Sequence, residues 1–243
     1  MTTILIVAKA PVPGKVKTRL CPELTPQQAA ALAAAALLDT LDAALAVPTA
    51  TVVVAMMGAL SDAPAGPQIA MALRGCRVIR QRGSTFGERL AHAHLDAAGP
   101  LGPVLQIGTD TPQVTTDLLR QSIFALHQGA DAALGPAEDG GWWALALREA
   151  RHARVLAGVP MSTPETHGHT TSALSAAGLV IAPLPTLVDA DTVTDAHKVA
   201  RSAPGTRFGQ LAALLLGAQK PRPAPVDAAP VPHGCQALSR SLR

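Results

Sequence analysis

The stretch "ILIVAKAPVPGKVKTRL", residues 4–20, joins a short apolar run to a loop that carries four cationic side chains. The run 4–8 predicts a buried strand, because buried parallel strands are short, apolar and rich in β-branched residues. In open α/β sheets, ligands bind beyond the carboxyl ends of the strands. The loop therefore predicts a phosphate site at that end. The residues expected to supply its donors are Lys9, Gly14, Lys15, Lys17, Thr18 and Arg19.

This loop is not a Walker A motif. Val16 follows Lys15 where that motif has Ser or Thr, and Lys9 stands in place of its first Gly. A solvated basic turn is the alternative interpretation. Pro11 and Pro13 each fix a φ angle and reduce the entropy lost when the loop closes on a ligand, which favours a preorganised site.

Short β-branched runs alternate along the chain with Ala- and Leu-rich stretches. This alternation predicts an α/β fold with a mixed, mostly parallel sheet covered on both faces. The predicted strands are 4–8, 51–56, 77–80, 104–107, 131–134, 142–147, 179–181 and 186–188. The clearest helix begins after Thr25, with Pro26 at its first position and Gln28 placed for a capping box. Further helices are predicted at 86–97, 115–127, 168–177, 194–201 and 207–216.

The composition narrows the class of protein. With 243 residues and 48% apolar content, the chain can bury one large domain, expected over residues 1–217. The Pro/Ala-rich segment 218–243 predicts a flexible tail. The net charge of +3 falls short of the broad basic surface that duplex nucleic acid requires. Aromatic residues make up 2% and there is no Tyr, so no nucleic-acid partner is expected.

The spacing of the cysteines and the length of the apolar runs indicate where the protein is expected to be located. Cys21, Cys76 and Cys235 lack Cys-x-x-Cys spacing, which argues against a disulfide framework and a zinc site. No run of apolar residues approaches the length of a membrane span. The expected location is the cytoplasm, and no oligomeric state is indicated.

Carboxylates follow two of the predicted strands. In "GTDTP", residues 108–112, Asp110 can reach a divalent cation whose other ligands are water and substrate phosphate. A turn or helix-capping Asp before Pro112 is the alternative. In "LVDADTVTD", residues 187–195, Asp189 and Asp191 stand two positions apart in extended chain and point the same way. Two such carboxylates repel unless a cation or proton lies between them, and this favours the cation interpretation of Asp110 over the capping one.

Two further loops could approach a ligand. "GPAEDGGWW", residues 135–143, sets Glu138 and Asp139 before two glycines, Gly140 and Gly141, which permit close backbone approach. An Asp-Gly hairpin turn explains this loop equally well.

"QRGSTFGERL", residues 81–90, surrounds a predicted helix start, where amide groups favour an anion or a ribose hydroxyl. Its candidate residues are Ser84, Gly87, Glu88 and Arg89, although helix capping alone explains Ser84. The histidines at positions 92, 94, 167 and 169 form i, i+2 pairs, which diverge on a helix and are expected to be surface or packing residues.

Five motifs taken in order resemble those of a known family. They are "KAPVPGKVKTRL", "FGERL", "IGTDTP", "LGPAEDGGWW" and "MSTPETHGHT". They look like the motifs of the bacterial selenodomain-associated transferases, within the GT-A nucleotide-diphospho-sugar transferase superfamily. A looser likeness is to 2-phospholactate guanylyltransferase and to molybdenum-cofactor nucleotidyltransferases. The resemblance spans residues 1 to about 171 and implies a Rossmann-like GT-A three-layer sandwich.

The resemblance also implies roles for individual residues. Nucleotide contacts are implied for Lys9, Gly14, Lys15, Lys17, Thr18, Arg19, Gly87 and Glu88. Binding of Mg²⁺ or Mn²⁺ is implied for Asp110, with Asp189 and Asp191 as a second acidic pair. Catalytic roles are expected for Lys17, Arg19 and Asp110. Acceptor contacts are expected for Glu138, Asp139, Gly140, Gly141, Ser162 and Thr163. Met161 departs from the family pattern, which has Trp before the Ser-Thr step.

Two transferase reactions use these parts. In nucleotidyl transfer, an acceptor phosphate or hydroxyl attacks the α-phosphorus of a nucleoside triphosphate and pyrophosphate leaves. In glycosyl transfer, a nucleoside diphosphate leaves a nucleotide sugar, and the acceptor hydroxyl needs a base such as Asp139 or Glu138. The four-cation loop matches a triphosphate better, so nucleotidyl transfer to a small phosphorylated or hydroxylated acceptor is the first hypothesis. Glycosyl transfer is the second, and a nucleotide-binding module without turnover is the third.

Overall fold

The computed structural model describes residues 1–48 and 50–217, and its centre is one seven-stranded sheet. The strands are β1 Thr2–Lys9, β2 Ala50–Met57, β3 Arg77–Arg80, β4 Val104–Ile107, β5 Ala132–Pro136, β6 Trp142–Leu147 and β7 Ile181–Pro183. They lie in the order β3-β2-β1-β4-β6-β5-β7. Strand β6 runs antiparallel to both of its neighbours, and the other pairs are parallel. The predicted mixed, mostly parallel sheet is confirmed.

Helices cover both faces of this sheet. They are α1 Pro26–Leu45, α2 Gly66–Ala72, α3 Phe86–Ala98, α4 Thr116–His127, α5 Thr166–Ala176, α6 Val193–Ser202 and α7 Arg207–Gly217. Successive side chains of β1 point to opposite faces, as they do in any strand. Ile4 and Ile6 pack with α1 and α4 in one core, whereas Leu5 packs with α3 and α5 in another. The result is three layers, with the sheet in the middle.

Helix starts follow the capping signals in the sequence. The Thr25 hydroxyl accepts a hydrogen bond from Gln28 N–H, and the Gln28 side chain accepts one from Thr25 N–H. This is the predicted capping box of α1. Helix α3 begins with the same box between Thr85 and Glu88. These caps fix where the preceding loops enter their helices.

Four segments differ most from the sequence-based predictions. The last strand begins at Ile181, two residues later than predicted, and residues 186–188 form no strand. In that segment Leu187 makes a single bridge to Ala137, because prolines at 183 and 185 remove the amide donors that a longer ladder needs. Helix α2 and a 3₁₀ segment over 150–158 were not predicted, since both are short and neither has a side-chain cap.

Helix α1 corrects the expectation that no stretch reaches membrane length. Its 20 residues are long and apolar enough to cross a membrane by length and composition alone. Within this fold it is a core helix, because 61% of its most apolar window is buried and Leu37 and Leu41 pack against the sheet. The predicted flexible tail, 218–243, and Cys235 lie outside the described residues.

Candidate nucleotide and metal site

The loop after β1 meets two acidic segments at the carboxyl edge of the sheet. Lys17 has a left-handed backbone conformation, with φ of 47°. Its ammonium contacts the carboxylate of Asp110 and, at 3.0 Å, that of Asp191. Asp110 follows β4, and its carbonyl accepts a hydrogen bond of 2.8 Å from Ala190 N–H, which ties the two acidic segments together. The structure thus brings together groups that the strand-end argument predicted would be neighbours.

Lys17 is the buried cation of this cluster, with 6% of its side chain exposed. Burial disfavours its ammonium, but attraction to Asp110 and Asp191 outweighs that penalty and raises the pKa of Lys17. Lys17 is therefore charged at neutral pH. Arg19 also reaches Asp191, at 3.4 Å, but 74% of its side chain is exposed, so solvent screens this second pair.

Asp189 lies beside the same cluster. Its pKa is raised to about 7, first by burial and then by the negative charges of Asp110, Asp139 and Asp191. Four carboxylates therefore influence one another at this edge. Their negative charge exceeds what Lys17 compensates.

These oxygen donors suit a hard divalent cation such as Mg²⁺ or Mn²⁺. In residues 1–48 and 50–217, no three His, Cys, Asp or Glu side chains already form a metal cage. Mg²⁺ commonly binds through one or two carboxylates, with water and substrate phosphate completing the shell. Asp110 and Asp191 fit such an open site because both face the Lys17 ammonium. Asp189, the third predicted ligand, lies near them without joining a preformed cage.

A cavity of about 290 Å³, here called the basic pocket, opens beside Lys17. Its cationic lining residues are Lys9, Lys15, Lys17 and Arg89. Lys9 Nζ donates to the carbonyl of Lys15 at 2.7 Å, which holds the two ends of the loop together. Gly14 and Thr18 belong to the same loop, outside the residues that line the cavity. The charge of the pocket suits nucleotide phosphates.

The residue after β3, Gln81, and two residues of helix α3, Phe86 and Arg89, contribute planar groups to the basic pocket. The Gln81 amide nitrogen donates to the carbonyls of Ala8 at 3.0 Å and Ala55 at 2.9 Å, which joins the ends of β1 and β2. The Arg89 guanidinium lies 5.4 Å from the centroid of the Phe86 ring. Both groups line the pocket and offer flat surfaces on which a base can stack.

Gly87 and Glu88, predicted to contact nucleotide, make structural contacts. A Cβ on Gly87 would lie 2.1 Å from the carbonyl oxygen of Leu156, so glycine lets α3 pack against segment 150–158. The Glu88 carboxylate accepts hydrogen bonds from Ser84 and Thr85, and these bonds lower its pKa. Helix capping therefore accounts for Glu88, and close packing of α3 accounts for Gly87.

A second cavity, of about 410 Å³, shares Asp110 and Asp191 with the basic pocket and is here called the acidic pocket. Its charged lining residues are Arg19, Asp110, Asp139, Asp189 and Asp191. Four of the predicted acceptor residues line it, namely Asp139, Gly141, Ser162 and Thr163. Two do not. Glu138 pairs with Lys198 at 2.9 Å, and Gly140 packs so tightly on Pro164 that an added Cβ would lie 1.9 Å from its carbonyl oxygen.

The loop between β5 and β6 satisfies both interpretations of its sequence. Gly141 N–H donates to the Asp139 carboxylate at 2.8 Å, and Ala137 N–H donates to the Gly141 carbonyl at 3.0 Å. These bonds form a tight turn, as an Asp-Gly hairpin requires. The same turn places the Asp139 carboxylate among the residues that line the acidic pocket, where the predicted ligand contact stays a prediction.

Sequence reasoning missed the glutamines of both pockets. Gln81 lines the basic pocket, and Gln106 lines the acidic pocket from inside β4. A signal for Gln106 was present, because a polar residue within the apolar run "VLQI" must find hydrogen-bond partners when the strand is buried. His94, expected at the surface or in packing, is the fully buried partner of Gln106.

Three solved structures resemble this fold. A candidate nucleotide-diphospho-sugar transferase from Desulfovibrio desulfuricans G20 is 27% identical, with a TM-score of 0.75 over 89% of this chain and 97% of that chain. CMP:2-keto-3-deoxy-manno-octonic acid synthetase, complexed with CTP, is 13% identical, with a TM-score of 0.51 over 82% and 96%. The 4-diphosphocytidyl-2C-methyl-D-erythritol synthase of Anaerococcus prevotii DSM 20548 is 11% identical, with a TM-score of 0.54 over 84% and 95%.

These neighbours confirm the expected α/β fold of the GT-A type. At their low identities, the last two bear on the fold alone. The expectation of a transferase agrees with the name of the first. No curated protein matches the sequence. A family model described as an uncharacterized protein conserved in bacteria (DUF2064) matches residues 40–163, about half of the chain, and the protein therefore belongs to the DUF2064 family.

Proposed function

We propose that this protein is a metal-dependent transferase that uses a nucleotide donor, with nucleotidyl transfer from a nucleoside triphosphate as its reaction. The observation that carries the proposal is the position of Lys17. Its buried ammonium lines the basic pocket and contacts two carboxylates that can bind a divalent cation. A polyphosphate in the basic pocket would therefore meet both a fixed positive charge and a metal.

The residues divide the work of donor binding. Lys9, Lys15 and Lys17 bind phosphate oxygens from the loop after β1, and Arg89 with Phe86 contacts the base. Asp110 and Asp191 would hold Mg²⁺ or Mn²⁺. The bound cation would neutralise charge on the phosphates. Lys17 stays charged because its carboxylate partners raise its pKa, so it can exchange a carboxylate for a phosphate oxygen without losing its proton.

The transfer step needs no protein nucleophile. An acceptor oxygen attacks the α-phosphorus, the bond from that phosphorus to the β-phosphate bridging oxygen breaks, and pyrophosphate leaves. The cations of the basic pocket stabilise the negative charge that accumulates on the pyrophosphate. The acceptor approaches from the acidic pocket, which shares Asp110 and Asp191 with the donor side.

Glycosyl transfer is the second candidate, and one observation favours it. The solved structure that is 27% identical over most of this chain is named as a candidate nucleotide-diphospho-sugar transferase. In that reaction a nucleoside diphosphate leaves a sugar, and a base takes the acceptor's proton. Asp139 is the better base of the two expected, because it lines the acidic pocket whereas Glu138 is paired with Lys198.

The motif resemblance supports a finer placement among the selenodomain-associated transferases, and more loosely beside 2-phospholactate guanylyltransferase. A nucleotide-binding module without turnover is the remaining alternative. It would retain nucleotide affinity and form no metal-dependent product.

One experiment separates these candidates. The protein is incubated with each nucleoside triphosphate and each nucleotide sugar, together with a panel of small phosphorylated and hydroxylated acceptors and with or without Mg²⁺. Melting temperature, pyrophosphate and nucleoside diphosphate are measured. A triphosphate that raises the melting temperature and releases pyrophosphate identifies nucleotidyl transfer. A nucleotide sugar that releases nucleoside diphosphate identifies glycosyl transfer. A nucleotide-dependent shift without product identifies the binding module, and no shift with any nucleotide contradicts all three.

A further inference from the structure

The two pockets share Asp110 and Asp191 but differ in charge. Four cations line the basic pocket. Two further carboxylates, those of Asp139 and Asp189, line the acidic pocket, where Arg19 is the one cation among the lining residues. Even with a divalent cation bound, the charges of the acidic pocket come close to cancelling, because its carboxylates face that cation, Lys17 and Arg19. The acidic pocket therefore has no excess of cations, such as the basic pocket has, to attract a phosphate on the acceptor.

Gln106 is an independent sign that this pocket binds a ligand. The residue is 3% exposed and lies in the middle of the sheet, in β4. Its Oε1 contacts the Nε2 of His94 at 2.7 Å. Within residues 1–48 and 50–217 its Nε2 makes no hydrogen bond, yet it is not among the fully enclosed unpaired atoms, so it is open to the acidic pocket that the side chain lines. In that pocket, water or a ligand oxygen can accept a hydrogen bond from this amide N–H.

His94 fixes the orientation of that amide. His94 is fully buried, and burial lowers its pKa to about 4, so the ring is neutral with one N–H. Its Nδ1 has no partner. An orphaned lone pair is less costly than an orphaned N–H, so the proton belongs on Nε2, which donates to the oxygen of Gln106. The amide nitrogen of Gln106 is then directed to the pocket.

An apolar surface completes the acidic pocket. The indole of Trp142 lines it, and its Nε1 donates to the hydroxyl of Thr170 at 3.1 Å, which fixes the ring. Met161 and Leu90 line the pocket as well. Small-molecule sites commonly combine such apolar walls with a few placed polar groups.

We propose that the acidic pocket binds an uncharged polyhydroxylated acceptor, a sugar or cyclic polyol, with Gln106 donating to one oxygen and Asp139 accepting from one hydroxyl. Hydroxyl groups satisfy both partners, because each hydroxyl can donate and accept. A phosphate would satisfy Gln106 but face the carboxylates. An ammonium cannot accept from Gln106, and with the cation, Lys17 and Arg19 in place it finds no excess of negative charge to bind. The inference rests on the proposed function only in calling this ligand the acceptor.

Binding of matched probes tests the proposal without requiring turnover. The full chain is titrated in the presence of Mg²⁺ with a panel of uncharged monosaccharides and cyclic polyols that includes glucose and myo-inositol, with their monophosphates, and with glucosamine. Saturation-transfer NMR and calorimetry report binding. We expect an uncharged member of the panel to bind more tightly than its phosphate and than glucosamine. Tighter binding of a phosphate or of glucosamine, or no binding of any uncharged probe, would overturn the proposal.

Two variants and one control locate the binding. Gln106→Met removes the amide and should weaken polyol binding about three- to tenfold, the loss expected for one neutral hydrogen bond. Asp139→Asn keeps an oxygen for the Gly141 turn and, because it removes one negative charge, should narrow the preference for the uncharged probe over its phosphate. Asp117→Asn, on exposed α4, should change neither. If Asp139→Asn leaves the preference unchanged, the charge argument is wrong even if Gln106→Met fails to fold.

Donor binding is measured separately, as the nucleoside triphosphate shift of melting temperature. If that shift is present while polyols fail to bind, this inference is wrong and the proposed function stands. If polyols bind while no nucleotide shifts the melting temperature, the proposed function is wrong. The inference that the acidic pocket binds an uncharged polyhydroxylated ligand then still holds.

Discussion

Lys17 and Arg19 share the carboxylate of Asp191 from two regions of one loop, and they differ mainly in burial. The Lys17 side chain is 6% exposed and that of Arg19 is 74% exposed. Water screens the ion pair of Arg19 but is largely excluded from Lys17. Although the two side chains carry the same formal charge, the interaction of Lys17 with Asp191 is therefore the stronger one. The sequence shows two cations two positions apart, and the structure shows a buried group beside a peripheral one. The following experiments test whether burial sets the size of each effect.

The largest effect is expected at Asp110, the exposed carboxylate that contacts the buried Lys17 ammonium. Asp110→Asn removes a charge that faces both Lys17 and the proposed metal, so metal-dependent turnover should fall by about a thousandfold or more. Side-chain exposure of 51% means that the substitution should leave cooperative unfolding intact. Turnover is measured as Mg²⁺-dependent pyrophosphate or nucleoside diphosphate release. Asp62→Asn, at an exposed site, is the matched control. An unchanged rate in Asp110→Asn would remove the metal assignment.

Burial should also make the stability of the protein depend on pH through His94. Its pKa is lowered to about 4 by burial, so between pH 6.5 and pH 4 the unfolded chain binds a proton that the folded chain does not. Stability should therefore fall as pH falls through this window, by about 3 kcal/mol at most, and should not depend on His94 above it. Asp189 has the opposite effect on stability as the pH falls, because its pKa is raised to about 7.

For that reason the His94 effect is read as a difference between proteins. Denaturant unfolding of the wild type and of His94→Leu is measured at neutral pH and near pH 4.5. The stability of the wild type relative to the variant should fall on acidification. A relative stability that stays constant with pH would show that His94 titrates normally and is accessible to water.

Lys17→Ala should have the next largest effect on activity. It removes the buried ammonium from the donor's phosphates, and losing one such preorganised charge typically reduces turnover by about a hundredfold. The donor's affinity should fall with it, which the nucleotide-dependent shift of melting temperature measures. If turnover survives, the phosphates bind elsewhere and the basic pocket is not the donor site.

The smallest effect is expected for Arg19→Ala. A pair as exposed as Arg19 and Asp191 contributes at most about 1 kcal/mol, so donor affinity should fall by less than about fivefold. The measurement is the same donor titration as for Lys17→Ala. A loss as large as that of Lys17→Ala would contradict burial as the deciding factor and would place Arg19 on the transferred phosphate.

Much of the fold follows from sequence periodicity. The strands at 77–80, 104–107 and 142–147 have the predicted limits because each is a short run rich in apolar or β-branched residues, and Pro103, Gly108 and Gly141 mark limits of the last two. Residues 186–188 have the same composition but do not form a strand, since neighbouring prolines remove ladder donors. Helix α2 has no cap and no long apolar face, so its local sequence carries little signal.

The sequence predicted which segments lie near one another at the site, but it predicted fewer of the contacts between individual side chains. Carboxyl ends of parallel strands share an edge, which is why Lys17 and Asp110 could be brought together from sequence alone. The difference between Glu138 and Asp139 could not, because it depends on Lys198, which lies 60 positions away from Glu138 in the chain. From the sequence, Gln106 could be recognised only as a polar residue in a buried strand, and His94 only as a helix residue. The structure shows that the two side chains contact each other.

The antiparallel direction of β6 has a consequence for how acceptor choice can change within such a fold. Because β5 and β6 form a hairpin, a single five-residue connection, 137–141, supplies one wall of the acidic pocket. The loop after β1, which lines the basic pocket, belongs to another part of the chain. A change in the length or sequence of the hairpin turn would therefore reshape the acidic pocket and leave the basic pocket as it is. With acceptor and donor bound as proposed, such a local change can alter the choice of acceptor without altering the nucleotide.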